Sequence, residues 1–149
     1  MSNKHPISLN DIQEAAKRLK GIIRPTVMLN AGWLERQIGS PVSLKPENLQ
    51  RAGSFKIRGA YNLMSQLSDA DRKKGVIAAS AGNHAQGVAL AAQLLGIKST
   101  VYMPVGASIT KVMATKGYGA DVKFIGDRLD VAIAAAKEAS EQNGSIFIS

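Results

Sequence analysis

Two short stretches of this 149-residue chain carry residue types that could do chemistry. Residues 45–60 read KPENLQRAGSFKIRGA, with Lys56 placed between Phe55 and the start of an amphipathic segment. Ile57, Ala60, Tyr61, Met64 and Leu67 recur at helical spacing and predict a helix with these residues on its buried face. Lys56 then falls at or before the first turn, where backbone amides lack intrahelical partners and the helix dipole is positive. A positive setting disfavours an ammonium ion, and the neutral amine is the nucleophile of Schiff-base chemistry. A lysine at a helix start is also an ordinary surface feature, so Lys56 by itself decides nothing.

The second stretch, residues 79–89, reads ASAGNHAQGVA. An apolar strand enters, a loop of small residues follows, and a helix begins near Asn83 to Ala85. Gly82 permits close backbone approach, and free amides at such a helix start can hold an anion. Ser80, Asn83 and Gln86 add side-chain hydrogen bonding. In a parallel sheet this is the right end, because ligands bind beyond the carboxyl ends of the strands. An ordinary βα turn with a polar cap would look much the same.

The elements that must position these residues follow from periodicity. Ser8 and Asp11 form a capping-box-like start to a helix over Leu9 to Leu19. Its apolar positions are Ile12, Ala15, Ala16 and Leu19, continued by Ile22 and Ile23. Arg24-Pro25-Thr26 is an extended connector. A short helix over Ala31 to Gln37 closes at Gly39, and residues 41–45 read as a strand. Strands then begin near 76, 99, 121 and 145, about 22–24 residues apart, with helical stripes between them. The stripes are Ala85, Val88, Ala89, Ala92 and Leu95; then Ile109, Val112 and Met113; then Leu129, Ile133, Ala136 and Ala139. Such βαβ units predict an α/β fold, a parallel twisted sheet with right-handed crossovers and helices on both faces.

Composition narrows the function classes. A hydrophobic share of 45% with 20% charged residues is that of a soluble globular protein. No cysteine is present, which excludes disulfides and cysteine-based zinc sites and fits a reducing cytoplasm. The net charge of +8 is scattered apart from short clusters such as Arg72, Lys73 and Lys74, and aromatic residues are only 5%. That argues against nucleic acid and suits an anionic small molecule. The opening MSNKHPISLNDIQ has no signal-like apolar core, and no stretch approaches a membrane span. There is no P-loop, and Gly82 to Gly87 does not fit a dinucleotide fingerprint. His5 and His84 are the only histidines and lack metal-ligand companions. Ser80 has no acid–histidine pair for a hydrolase triad.

Taken together, KPENLQRAGSFKIRGA and the later SAGNHAQG resemble the fold-type II pyridoxal 5'-phosphate (PLP) enzymes, and most closely the N-terminal part of the serine/threonine dehydratases. The resemblance extends through MPVGASITKVMATKGYGADV at 103–122 to the final IFIS. It implies that Lys56 forms the Schiff base with PLP and then acts as base on the substrate α-carbon. Phe55 would pack on the cofactor ring and Asn83 would bond its 3' oxygen. Ser80, Gly82, Asn83 and His84 would line the loop gripping the substrate carboxylate, with Gln86 as a further candidate. Glu47 and Arg58 would be structural, as an ion pair near the site. The racemases of this fold tend to carry serine where this chain has Ala81, which tilts the chemistry toward elimination. The implied reaction converts L-threonine to 2-oxobutanoate and ammonia, and L-serine to pyruvate. Residues 1–52 would open the larger PLP-binding domain, and 53–149 would form the smaller α/β domain.

Members of the family are about twice as long or more, and their glycine-rich phosphate loop has no counterpart here. The expectation is a part of a longer protein holding half a site. A non-catalytic fragment or interaction module of the same fold, or a serine racemase or serine dehydratase relative, stays open. So does the choice between isoleucine biosynthesis and catabolism. The resemblance implies homo-oligomers for the full-length protein.

Overall fold

In the computed structural model, which describes residues 7–149, helix α1 (Leu9–Leu19) starts as expected. Ser8 Oγ accepts from the Asp11 amide at 3.2 Å, and the Asp11 carboxylate accepts from the Ser8 amide at 2.8 Å. His5 lies outside the described residues. Strand β1 (Leu29–Asn30) leads into helix α2 (Gly32–Ile38), which Gly39 ends in the left-handed region. Strand β2 (Ser43–Leu44) pairs antiparallel with β1, so the run expected at 41–45 shortens to two residues. Two 3-10 turns, Glu47–Leu49 and Arg51–Gly53, carry the chain into helix α3 (Lys56–Met64).

Helix α4 (Asp69–Lys74) is absent from the sequence-based reading. Its start repeats the device of α1, with Ser68 Oγ accepting from the Asp71 amide at 3.1 Å. The basic cluster Arg72, Lys73 and Lys74 is its last turn, where positive charge complements the helix dipole. Six residues are too few for an apolar stripe to reveal the helix.

The remaining elements alternate as expected: β3 (Val76–Ala79), α5 (Asn83–Leu95), β4 (Ser99–Met103), α6 (Ile109–Gly117), β5 (Asp121–Phe124), α7 (Leu129–Asn143) and β6 (Ile146–Phe147). The four later strands form one parallel sheet in the order β5-β4-β3-β6. The chain therefore steps outward from β3 to β5 and then returns to the other side of β3. Right-handed crossovers place helices on opposite faces for the two directions.

Side chains confirm that layering. Val76, Ala78 and Ile148 pack with Ile57, Met64, Val88 and Leu90 on one face, under α3 and α5. Val101 and Met103 meet Ala85, Ala89 and Val112 on the same face. Ile77 and Tyr102 point the other way, onto Ala132 and Ala136 of α7. The stripe read for α6 needs correction. Val112 and Thr115 are buried, whereas Ile109 and Met113 are exposed. In the apolar stripe read for α1, Ile12 and Ala16 are exposed, Ala15 is half-buried and Leu19 is the one buried member. Among the described residues no helix is long and apolar enough to cross a membrane.

Candidate active site

The placement of Lys56 begins a few residues upstream. Ala52 and Gly53 both have positive φ, 57° and 65°, which turns the chain sharply before Ser54. For an alanine this conformation is strained, a kind of cost that tends to sit near functional positions. Ser54 is buried, and its hydroxyl accepts from the Lys56 amide at 3.4 Å. Lys56 is then the first residue of α3, anchored by the fully buried Ile57 beside it. Across the helix contact stands Gly87 of α5. A Cβ there would lie 3.0 Å from the Lys56 carbonyl carbon, so glycine is what lets the two helices close at the lysine.

The sheet order explains where the lysine points. Crossovers diverge between β3 and β6, which makes their carboxyl ends the topological switch point of the sheet. An open cavity of about 240 Å³ lies there, lined by Phe55, Lys56, Gly59, Leu63, His84 and Ile148 among others. The Phe55 ring is exposed at its mouth, with the Lys56 ammonium 5.1 Å from the ring centroid. Among the described residues the Lys56 Nζ has no hydrogen-bond or ion-pair partner.

The loop residues divide. His84 joins the lysine cavity, and its Nε2 stands 3.3 Å from the Ile148 carbonyl. A carbonyl only accepts, so this contact puts the proton on Nε2 and ties the loop to the end of β6. Ser80 Oγ accepts from the Gly82 amide at 3.1 Å, shaping the turn. Gly82 is the N-cap of α5 and provides no side-chain cap, leaving the first-turn amides available. Asn83 opens α5 with its Oδ1 accepting from Lys111 Nζ at 2.6 Å. Gln86 is not with the others. It is 7% exposed and lines a different cavity, with Arg24, Arg51 and Lys111, and its Nε2 has no partner among the described residues.

Glu47 and Arg58 form the expected ion pair, with both guanidinium contacts at 2.8 Å. Thr26 donates to the same carboxylate at 2.7 Å. The Arg58 hydrogen bonds, more than any other influence, hold the Glu47 carboxyl down at about 2, against desolvation. Gln50, unremarked in the sequence, is as important structurally. Its buried carboxamide bonds both the amide and the carbonyl of Arg24 at 2.8 Å, fastening the extended connector to the lysine segment. Its only sequence signal was membership in the quoted run. Lys111 and Gly87 likewise carried no signal of their own, because each meets a neighbour distant in sequence.

An amine without a partner among the described residues, an aromatic ring beside it and the uncapped start of the helix that carries His84 fit a carbonyl-bearing anionic cofactor. The class defined is a parallel α/β protein with a lysine at its switch point. Residues 19–149 match the family described as "Pyridoxal-phosphate dependent enzyme", and the chain belongs to that family. It is 48% identical over 142 residues to the L-threonine ammonia-lyase of Thermotoga maritima, covering 95% of this chain and 35% of that protein. It is 48% identical over 143 residues to the catabolic L-threonine dehydratase TdcB of Escherichia coli K12, covering 96% and 44%. The chain thus spans less than half the length of these relatives. Among solved structures, maize serine racemase superposes with a TM-score of 0.89 at 32% identity, over 97% of this chain and 44% of that one. The processed form of threonine deaminase isoform 2 from Solanum lycopersicum gives 0.80 at 39% identity, over 92% and 40%.

Proposed function

We propose that this chain supplies the lysine-bearing part of a PLP site that deaminates L-threonine to 2-oxobutanoate and ammonia, and L-serine to pyruvate by the same route. The observation that carries this reading is Lys56 at the first turn of α3, sharing a cavity with His84 at the β3/β6 switch point. The cofactor, when bound, supplies an electron sink for the bond broken at the substrate α-carbon. Lys56 is the base: once its amine is free, Nζ accepts the α-proton. The open amides of α5, with Ser80 and Gly82, bind the substrate carboxylate. His84 holds that loop against β6, Asn83 would offer its carboxamide to the cofactor 3' oxygen, and Phe55 would pack against the cofactor ring. Gln86, buried elsewhere, contributes to the shape of α5 rather than to the carboxylate.

Ala81 brings no acid or base to the loop, which favours elimination over racemisation. Maize serine racemase is 32% identical to this chain, and the preference for elimination rests on Ala81 alone. Residues 1–52 belong, in this reading, to a larger domain and 53–149 to a smaller one. The buried apolar residues support the division, since all but Leu19 and Ala31 lie from Ile57 onward. A cytoplasmic setting, which the absence of cysteine supports, and homo-oligomeric assembly complete the reading for a protein of the relatives' greater length.

The test is absorbance. PLP added to the chain should give a Schiff-base band that disappears in Lys56→Ala. Binding by these 149 residues should be weak, because they include no glycine-rich phosphate loop. A band that survives Lys56→Ala would overturn the lysine's role. Robust threonine deamination by this chain alone would overturn the incomplete site.

A further inference from the structure

We infer that Lys111 is a positioning residue that sets which way the Asn83 carboxamide faces. The inference rests on the reading that Asn83 meets the cofactor, and it assigns work to a residue that reading leaves idle.

A carboxamide has an acceptor end and a donor end, and rotation about its last side-chain bond exchanges them at little cost. Only a donor end can serve a cofactor oxygen. Asn83 sits at the start of α5, exposed, and nothing on its own helix distinguishes the two orientations. Lys111, 28 residues away on α6, does. Its Nζ lies 2.6 Å from Asn83 Oδ1, and an ammonium donates only. The acceptor end is thereby fixed toward α6, and both Nδ2 hydrogens are turned away from it. A charged donor also polarises the amide and strengthens its remaining hydrogens as donors.

Lys111 is itself held. Val112 beside it is buried against Ala85 and Ala89 of α5, so the spacing of the two helices is set by core packing. The Lys111 carbonyl accepts from the fully buried Thr115 hydroxyl at 2.8 Å. The lysine therefore reaches Asn83 from a fixed base, while Lys116, on the same helix and exposed, makes no such contact among the described residues.

The experiment uses the 149-residue chain with PLP, trapping any Schiff base with borohydride and mapping the modified lysines by mass. Trapping accumulates product even where binding is weak. Lys111→Met should cut labelling of Lys56 by about two- to tenfold, the worth of one hydrogen bond. Lys111→Arg should restore it, and Lys116→Met, which removes the same charge, should leave it unchanged. In the chain without PLP, the Asn83 side-chain amide resonances should shift in Lys111→Met and not in Lys116→Met. Undiminished labelling in Lys111→Met, or an equal loss in Lys116→Met, overturns the positioning role. Wild-type labelling no greater at Lys56 than at other lysines overturns the functional reading, and this inference with it.

Discussion

Glu47 shows what a single residue near the lysine contributes. Arg58 on α3 grips its carboxylate with two hydrogen bonds, and Thr26 adds a third. The carboxyl is held at about 2 against a usual 4.5, so the folded state favours its ionised form. A depressed acid stabilises the fold above its unfolded value and loses that contribution as pH falls toward the folded one. The window here is from 4.5 down to about 2. Denaturant titrations across it should show the wild type losing on the order of 2 kcal/mol more than Glu47→Gln. Parallel pH slopes for the two proteins would contradict this account. The pair was legible in the sequence through the signature PENLQRAGSFKIR, but its partner Thr26 was not, since a hydroxyl in an extended connector carries no pattern. Lys56 itself shows the same limit: its residue type suggested chemistry, and its lack of a partner needed coordinates.

Helices α3 and α5 meet at Lys56 and Gly87, and the contact tolerates no side chain without movement. Gly87→Val should therefore displace the first turn of α3. We expect a stability loss of about 1 to 3 kcal/mol from overpacking, together with weakened labelling of Lys56 by PLP. Calorimetry and the trapping assay check the two parts separately; unchanged labelling would mean that the lysine is placed independently of α5. Periodicity found the long elements because a core-facing helix repeats its apolar residues over several turns. It failed for α4, which has one and a half turns and is recognisable only by Ser68 and Asp71 at its start. It also misjudged α6, where Ile109 and Met113 are apolar yet face outward. Spacing says that residues share a face, and only packing says whether that face is covered.

Across the whole molecule the core is uneven. Ile57, Met64, Val88 and Val101 are fully buried, while Ile7, Leu9, Ile12, Val27, Met28 and Trp33 are more than half exposed. Hydrogen exchange should divide the chain accordingly. Amides of β3, β4 and α5 should exchange slowly, near the global unfolding limit, and those of residues 24–44 much faster. Uniform protection across both regions would show that the N-terminal part is more firmly docked than its burial indicates. The sequence by itself determined the α/β class, the strand spacing, most element boundaries and the two segments bearing Lys56 and the Ser80–Gly87 loop. These are local properties, written in short-range periodicity, caps and turn residues. The tertiary structure alone decided that β6 returns to the far side of β3, and that this opens the switch point beside Lys56. It alone separated Gln86 from His84 and joined Asn83 to Lys111. Strand order and contacts between distant residues are fixed by how apolar faces share one core, a condition met by the folded chain as a whole.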